Sequence, residues 1–353
     1  MEEKTPWRRI ATGWTRGGPY GAAVGSYMLL MGLLLYAAQA LGALSSLRGH
    51  ALGPFLALGL IVAVLWAFGW GAGEWLAGRL SSQRGAASRG GSIRGSILRA
   101  VIPGVFSGVV YLLITVPLRA AVPLQLLLYC ALPAALATVF EALPPGETLS
   151  WQDLLVLAGL ALPIEYSWLR MPPGPDLGGL PKLLWADVAL YVYVVQRRLP
   201  GIGFDLRLRL RDLTTGLRAW GLFVPIGLGL GLALGFLRVH AHWPAPGPFI
   251  GLVVVTFVFV AVPEELFFRG LLQNLLQTRL PRWQALGVAS ALFGLAHYIH
   301  GPVFNWRYVI LAALAGGFYG CAWQRDRRTG AAAVAHTLVD VVWVTWWLNR
   351  AAL

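Results

Sequence analysis

The last hundred residues of the chain carry three clusters of ionisable side chains, each within or beside a long apolar run. The clusters are Glu264 and Glu265 with Arg269, then Phe293 with His297, then His336 with Asp340. An ionisable side chain within a membrane span is costly unless it is paired, and for that reason such residues usually mark a function. One such cluster alone is compatible with a structural role. Three in consecutive apolar segments predict a single functional site.

These residue types match the requirements of peptide hydrolysis. That reaction needs an activated water, a proton donor for the leaving amine and hydrogen-bond donors for the tetrahedral oxyanion. A buried glutamate could accept the proton of the water, and a neutral histidine could orient the same water. A second histidine, with its neighbour one helical turn on, could face the developing oxyanion. The clusters therefore predict a hydrolytic site.

The local sequence of the first cluster predicts how its side chains divide. Pro263 has no backbone donor and should kink or restart the helix. Glu264 and Glu265 are adjacent, so they point about 100° apart on a helix and should not serve the same face. Glu265 and Arg269 have i,i+4 spacing, which predicts an intrahelical ion pair. We expect Glu264 to face elsewhere.

The composition is that of a membrane protein. Of the 353 residues, 57% are hydrophobic and 12% are charged, and the mean hydropathy is +0.65; a soluble domain carries about 25% charged residues. Apolar runs of the length of a membrane helix predict an all-α, polytopic transmembrane bundle of about eleven spans. The spans are expected near 21–45, 53–76, 98–117, 121–142, 152–167, 183–196, 219–237, 248–263, 284–299, 307–323 and 331–348.

The basic residues indicate an orientation rather than a nucleic-acid partner. The net charge is +13, but no basic face with interleaved aromatics is visible. With eleven spans, all four arginine sets fall on one side, which the positive-inside rule assigns to the cytoplasm together with the N-terminus. The sets are Arg8, Arg9 and Arg16; Arg79, Arg84, Arg89 and Arg94; Arg197, Arg198, Arg207, Arg209 and Arg211; and Arg325, Arg327 and Arg328. The Arg-, Ala- and Gly-rich composition favours a bacterial inner membrane.

The chain divides into three predicted parts. Residues 1–200 form an N-terminal transmembrane bundle of unknown role, 201–217 a polar cytoplasmic connector, and 218–353 the bundle that carries the three clusters. We expect the second bundle to be the catalytic domain, with membrane lipid around it and a peptide as its substrate.

The three clusters, in this order and spacing, resemble the motifs of the CAAX protease and bacteriocin-processing (CPBP, or Abi) family, which includes the type II CAAX prenyl endopeptidases. The resemblance covers about residues 218–350. It implies that Glu264 is the general base and shares the water with His297, and that His336 and the residue at 340 line the oxyanion hole. Glu265, Arg269 and Phe293 would be supporting residues. The resemblance further implies a helical bundle whose cavity opens to lipid and to the cytoplasmic side, and it adds a lipidated protein to the peptides as a possible substrate.

The sequence departs from the family pattern at Asp340, where the family usually has asparagine. An ionised aspartate accepts hydrogen bonds but does not donate them. Asp340 is therefore protonated, or it orients His336, or it marks a changed or lost activity.

Two further alternatives stay open at this point. Glu264, His297 and His336 are also suitable ligands for zinc, although no HExxH motif is present; the family resemblance favours a mechanism without a cofactor. The same three residues could instead form a proton relay in a non-catalytic transporter or scaffold.

Overall fold

The structure is a computed structural model that describes residues 18–42, 52–77, 139–140, 146–165, 180–298 and 305–349. Within those ranges the regular structure is helical, apart from one isolated antiparallel bridge between Leu237 and Leu348. The all-α prediction is confirmed for this part of the chain. The span predicted at 98–117 and nearly all of the span at 121–142 lie outside the described residues.

The N-terminal half contributes four described helices. They are α1 (Gly18–Ala40), α2 (Leu52–Gly69), α3 (Trp151–Glu165) and α4 (Leu180–Leu190), and α4 continues in wider π-helical turns over Tyr191–Gln196. Helix α2 packs against both α1 and α4, and α3 also packs against α4. Helix α4 is almost entirely buried, so it forms the centre of this half.

Five helices follow in the C-terminal half. They are α5 (Leu210–Ala233), α6 (Pro246–Leu276), α7 (Arg282–Ala296), α8 (Trp306–Asp326) and α9 (Thr329–Val342), with π-helical turns over Trp343–Trp347 after α9. Helix α8 packs against α5, α7 and α9, and α9 also packs against α5 and α6. The helices that carry the three predicted clusters are thus neighbours around one interior.

Helix α6 does not end at Pro263. The span predicted at 248–263 is wrong at its C-terminal end, because the helix runs on to Leu276. A π-helical stretch over Thr256–Ala261 precedes Pro263, and a single α turn, Val262–Glu265, begins there. A proline at the start of an α turn removes few hydrogen bonds, because the preceding π-helical stretch already interrupts the regular i to i+4 hydrogen-bond pattern there. Pro263 therefore restarts the α-helical turn without breaking the helix.

The apolar helices support an integral membrane protein. Within the residues that the structure describes, three helices are long and apolar enough to cross a bilayer: Gly21–Ala40, Leu210–Ala233 and Pro246–Leu276. Leu58–Gly69 and Trp151–Ile164 are shorter apolar helices. The number of spans stays a prediction.

The third and fourth arginine sets meet in space. Arg328, just before α9, donates to Asp212 at 2.7 Å, to Asp205 at 2.6 Å and to the Arg207 carbonyl at 2.9 Å. These contacts join the connector to the turn between α8 and α9, as expected if both sets lie on one side of the membrane. The first two sets lie outside the described residues.

Helix α7, which carries the second cluster, packs closely on α8 at a glycine. A Cβ added at Gly294 of α7 would lie 2.6 Å from the Ala313 Cβ and 2.5 Å from the Val309 carbonyl oxygen of α8. The Ala313 Cβ and the Val309 carbonyl oxygen are both fixed to the backbone of α8, so neither can give way unless that helix shifts. Gly287, two turns earlier in α7, has nothing within 4 Å of the same position.

We predict that Gly294→Ala destabilises the protein by about 1–3 kcal/mol, the usual cost of forcing a methyl group into a packed interface. The midpoint of thermal unfolding in detergent measures this effect. Gly287→Ala is the matched control and should leave the midpoint unchanged or slightly higher, because alanine is the better helix former. Equal midpoints for both variants would contradict the close contact.

Candidate active site

Helices α6, α7 and α9 bring the three predicted clusters to one place. Glu264 and Glu265 lie in the Val262–Glu265 turn of α6, which packs against α9. His336 lies in the middle of α9, and His297 lies at the C-terminal end of α7. Glu264, Glu265 and His336 are all buried. The site is therefore a cluster of ionisable groups within the helical bundle.

Glu265 and Arg269 form the predicted ion pair. The Arg269 Nε donates to Glu265 Oε2 at 2.9 Å, and neither side chain is exposed at all. The guanidinium also lies 5.1 Å from the centre of the Phe293 ring. A buried charge requires a partner, and these contacts hold both groups in fixed positions on α6.

The imidazole of His336 meets both glutamates. Its Nδ1 lies 2.9 Å from Glu265 Oε1, and its Nε2 lies 3.3 Å from Asp340 Oδ2 and 3.8 Å from Glu264 Oε2. Glu265 is thus within hydrogen-bond distance of the ring, whereas Glu264 Oε2 approaches it only to 3.8 Å. The two ring nitrogens face different directions, so carboxylates that leave the helix about 100° apart can reach the same ring.

Carboxylate oxygens face both ring nitrogens of His336, and this arrangement favours one protonation state of the ring. An ionised carboxylate only accepts hydrogen bonds, so the ring makes favourable contacts on both sides when both nitrogens carry a proton. In that form the ring adds a positive charge between Glu264, Glu265 and Asp340.

His297 is oriented by the end of its own helix. Its Nδ1 lies 2.8 Å from the carbonyl oxygen of Phe293, one of the carbonyls that the last turn of a helix leaves without an intrahelical partner. A carbonyl accepts, so this contact places the ring proton on Nδ1 and the lone pair of the neutral ring on Nε2. The Phe293 ring lies between the two histidines, with its centre 4.7 Å from the His297 ring and 5.6 Å from the His336 ring.

Lys182 is a site residue that the sequence reasoning missed. Helix α4 packs on the Val262–Glu265 turn, and the Lys182 Nζ forms an ion pair with Glu264 Oε1. Lys182 lies 82 residues before Glu264 and belongs to none of the three motifs. The one available signal was rarity, because the chain has only two lysines, Lys4 and Lys182.

Two tyrosines of α8 were also missed. The Tyr319 ring stacks on His336 with 4.7 Å between centres and 13° between planes. Tyr308 contacts the His297 ring edge-on at 5.0 Å. Nothing in the sequence distinguishes these tyrosines from aromatic residues that only fill a core.

A cavity of about 60 Å³ adjoins the histidines. His297, His336 and Asp340 line it together with Tyr308 and Tyr319. A cavity of this size holds a few water molecules but no peptide. Glu264 is not among its lining residues. Its Oε2 lies 3.8 Å from the Nε2 of His336, which does line the cavity. Glu264 Oε2 is buried and has no hydrogen-bond partner among the described residues, so it has the capacity to accept a proton from a water.

The zinc alternative finds no preformed site in the described part of the chain. No three His, Cys, Asp or Glu residues there are arranged to hold a metal ion. Both nitrogens of His336 already face carboxylates, which leaves that ring no lone pair for a metal when it is doubly protonated.

Comparison with known protein families agrees with this geometry. Residues 246–342 match the family described as type II CAAX prenyl endopeptidase, Rce1-like. The matched segment contains Glu264, His297, His336 and Asp340 and ends before the last π-helical turns. The resemblance of the three motifs to the CAAX protease and bacteriocin-processing family is thus confirmed for this segment. No curated protein and no solved structure matches the chain.

We predict that Arg269→Gln destabilises the protein by about 3–5 kcal/mol, because it leaves the Glu265 carboxylate buried without its cation. Thermal unfolding in detergent gives the midpoint, with Arg218→Gln on the exposed surface of α5 as the control. The double variant Glu265→Gln/Arg269→Gln removes both charges and should recover part of the loss. If the double variant is as unstable as the sum of both single variants, the pair is not energetically coupled.

Proposed function

We propose that the chain is an intramembrane endopeptidase that hydrolyses a peptide bond with a water activated by Glu264 and His297. The observation that carries this proposal is the meeting of all three motif clusters around His336, within the segment that matches a family of endopeptidases. The ion pair with Lys182 supports an ionised Glu264, which is the form that a general base requires.

The proposed reaction begins with a water between Glu264 and His297. Glu264 Oε2 takes one proton from that water as the water oxygen bonds to the scissile carbonyl carbon. The second hydrogen stays on that oxygen and donates a hydrogen bond to the lone pair on His297 Nε2. The carbonyl oxygen becomes an oxyanion. The C–N bond then breaks, and the proton held by Glu264 passes to the leaving amine, so the carboxylate is regenerated.

In this mechanism, Asp340 orients His336. Of the three alternatives for Asp340, the distance of 3.3 Å between Asp340 Oδ2 and His336 Nε2 favours this one. A doubly protonated His336 stabilises an oxyanion by its positive charge. Glu265 and Arg269 hold the other side of the ring and act as positioning residues.

The proposed substrate is a membrane-associated peptide. The family is described by its action on CAAX prenyl proteins, and a prenylated CAAX-like peptide is therefore the first candidate; a bacteriocin-like membrane peptide is the alternative. We place the protein in a bacterial inner membrane with its N-terminus in the cytoplasm.

We predict that purified protein in detergent cleaves a member of a quenched fluorescent peptide library that includes a prenylated CAAX peptide. Glu264→Gln and His297→Ala should each lower the rate by about a hundredfold or more, the usual contribution of a general acid or base. Activity that survives a chelator supports the metal-free mechanism, and activity lost to the chelator supports the zinc alternative. Intact substrate together with proton flux in proteoliposomes would instead identify a transporter.

We predict that Lys182→Met lowers kcat by about tenfold to a hundredfold, because it removes a charge-assisted hydrogen bond worth about 1.5–3 kcal/mol. KM should change little, since Lys182 contacts the base and not the substrate. Lys182→Arg keeps the charge and should restore part of kcat, and Lys4→Met is the control at the other lysine. A Lys182→Met enzyme with wild-type kcat would show that this ion pair does not serve catalysis.

A further inference from the structure

A second, larger cavity lies away from the three clusters, on the side where the arginine sets meet. Its volume is about 610 Å³. The end of α2, the connector and the turn between α8 and α9 enclose it. Neither the three motifs nor the proposed peptidase reaction uses this space.

Arginines dominate the polar lining of this cavity. Five basic and three acidic residues line it: Arg198, Arg207, Arg209, Arg327 and Arg328, with Glu74, Asp205 and Asp326. Phe68, Leu190 and Val194 contribute an apolar part of the lining. The cavity therefore combines an excess of positive charge with an apolar surface.

Part of this charge is already neutralised within the protein. Asp205 accepts hydrogen bonds from Arg207 at 2.8 Å, from Arg328 at 2.6 Å and from Arg209 at 3.3 Å. Burial raises the pKa of the Asp205 carboxyl, but the hydrogen bonds from Arg207 and Arg328 outweigh burial and lower that pKa overall. Burial likewise disfavours the charge on Arg328, yet its bonds to Asp212 and Asp205 raise its pKa above the ordinary value.

Arg327, the neighbouring residue, has no such compensation. Its guanidinium lies 4.5 Å from the centre of the Trp323 ring and 3.4 Å from Asn274 Oδ1, and no carboxylate pairs with it among the described residues. Burial lowers the pKa of Arg327, and the positive charge of Arg282 lowers it further. The two adjacent arginines thus differ: Arg328 is paired with two carboxylates, and Arg327 is paired with none among the described residues.

Arg198, which precedes the connector, lines the same cavity and also has no carboxylate partner in the described part of the chain. Arg198 and Arg327 share an unusual backbone, with φ of 54° and 51°, and they are the two described non-glycine residues with positive φ. The left-handed region costs roughly 1–2 kcal/mol for such a residue. The Thr329 N–H donates to the Gly203 carbonyl at 2.9 Å and joins the two segments that present these arginines.

We propose that this cavity binds the phosphate group of an anionic ligand, with Arg198 and Arg327 as its two ligating cations. Guanidinium groups bind phosphate oxygens through paired hydrogen bonds, and basic pockets between membrane helices on the cytoplasmic side bind anionic lipid headgroups. The apolar part of the lining suits the acyl part of such a lipid. A phospholipid headgroup and a free phosphate share this chemistry, and the experiment separates the two sources.

The test is thermal unfolding of the full-length protein in a neutral detergent, with increasing phosphatidylglycerol, phosphatidylcholine or inorganic phosphate. Arg198→Gln, Arg327→Gln and their double variant are compared with Arg325→Gln. Arg325 is exposed, lies two residues from Arg327 and does not line the cavity, so it controls for the loss of one positive charge. Midpoints without ligand and size-exclusion profiles verify that each variant is folded.

Phosphatidylglycerol should raise the midpoint of the wild type and of Arg325→Gln with saturation, while phosphatidylcholine should not. Each cavity substitution should raise the half-saturating concentration about fivefold, as expected from about 1 kcal/mol per arginine. A shift with inorganic phosphate alone identifies free phosphate as the source and keeps the site. Equal shifts with both lipids, or wild-type binding by the folded double variant, overturn the proposal. The result is independent of peptidase activity.

Discussion

The structure depends on one constraint: charged groups inside an apolar bundle must neutralise one another. Three carboxylates, on Glu264, Glu265 and Asp340, lie beside Arg269, Lys182 and His336, whose ring adds a third positive charge when it is doubly protonated. Each pair joins groups on different turns or helices, so the same contacts that satisfy the charges also fix α4, α6 and α9 against one another. Breaking one pair would leave a buried charge without a partner, which costs far more than the pair contributes relative to an apolar replacement. The chemistry of the site and the packing of the bundle are therefore parts of the same arrangement.

The sequence was sufficient for those features that follow from local spacing. The i,i+4 relation predicted the ion pair between Glu265 and Arg269 and the shared face of His336 and Asp340, and both contacts are present. The apolar composition predicted a helical membrane protein, and the three motifs predicted a family that the comparison confirms for residues 246–342. Contacts between distant helices could not be read in this way. The pairing of Lys182 with Glu264 depends on how α4 packs on α6, and no periodicity in either helix encodes that. The wide π-helical turns that carry α6 past Pro263 have no sequence signal as clear as proline itself.

The aspartate at position 340 is easier to understand beside Lys182. With a neutral asparagine at 340, two carboxylates would face Lys182, Arg269 and a protonated His336, and the cluster would have an excess positive charge. With Asp340 ionised and His336 protonated, as proposed above, the count is three against three. A neutral cluster suits a buried setting, because any net charge would have to be stabilised without water. In the proposed mechanism Asp340 therefore favours the protonated form of His336, from which it lies 3.3 Å away.

Helix α9 connects the two polar regions of the molecule and is held at both ends. At its start, Arg328 bonds to Asp205 and Asp212, and the Thr329 N–H bonds to the Gly203 carbonyl. After its end, the backbone N–H groups of Arg238 and His240 donate to the carbonyls of Trp347 and Trp346 at 3.0 and 2.7 Å. His336 lies between these two attachments, in the rigid middle of the helix. A catalytic group is most effective when its position does not have to be reorganised during the reaction. The attachments of α9 supply that rigidity, because displacing the His336 ring would require breaking the polar network at the connector or the backbone contacts that follow the helix.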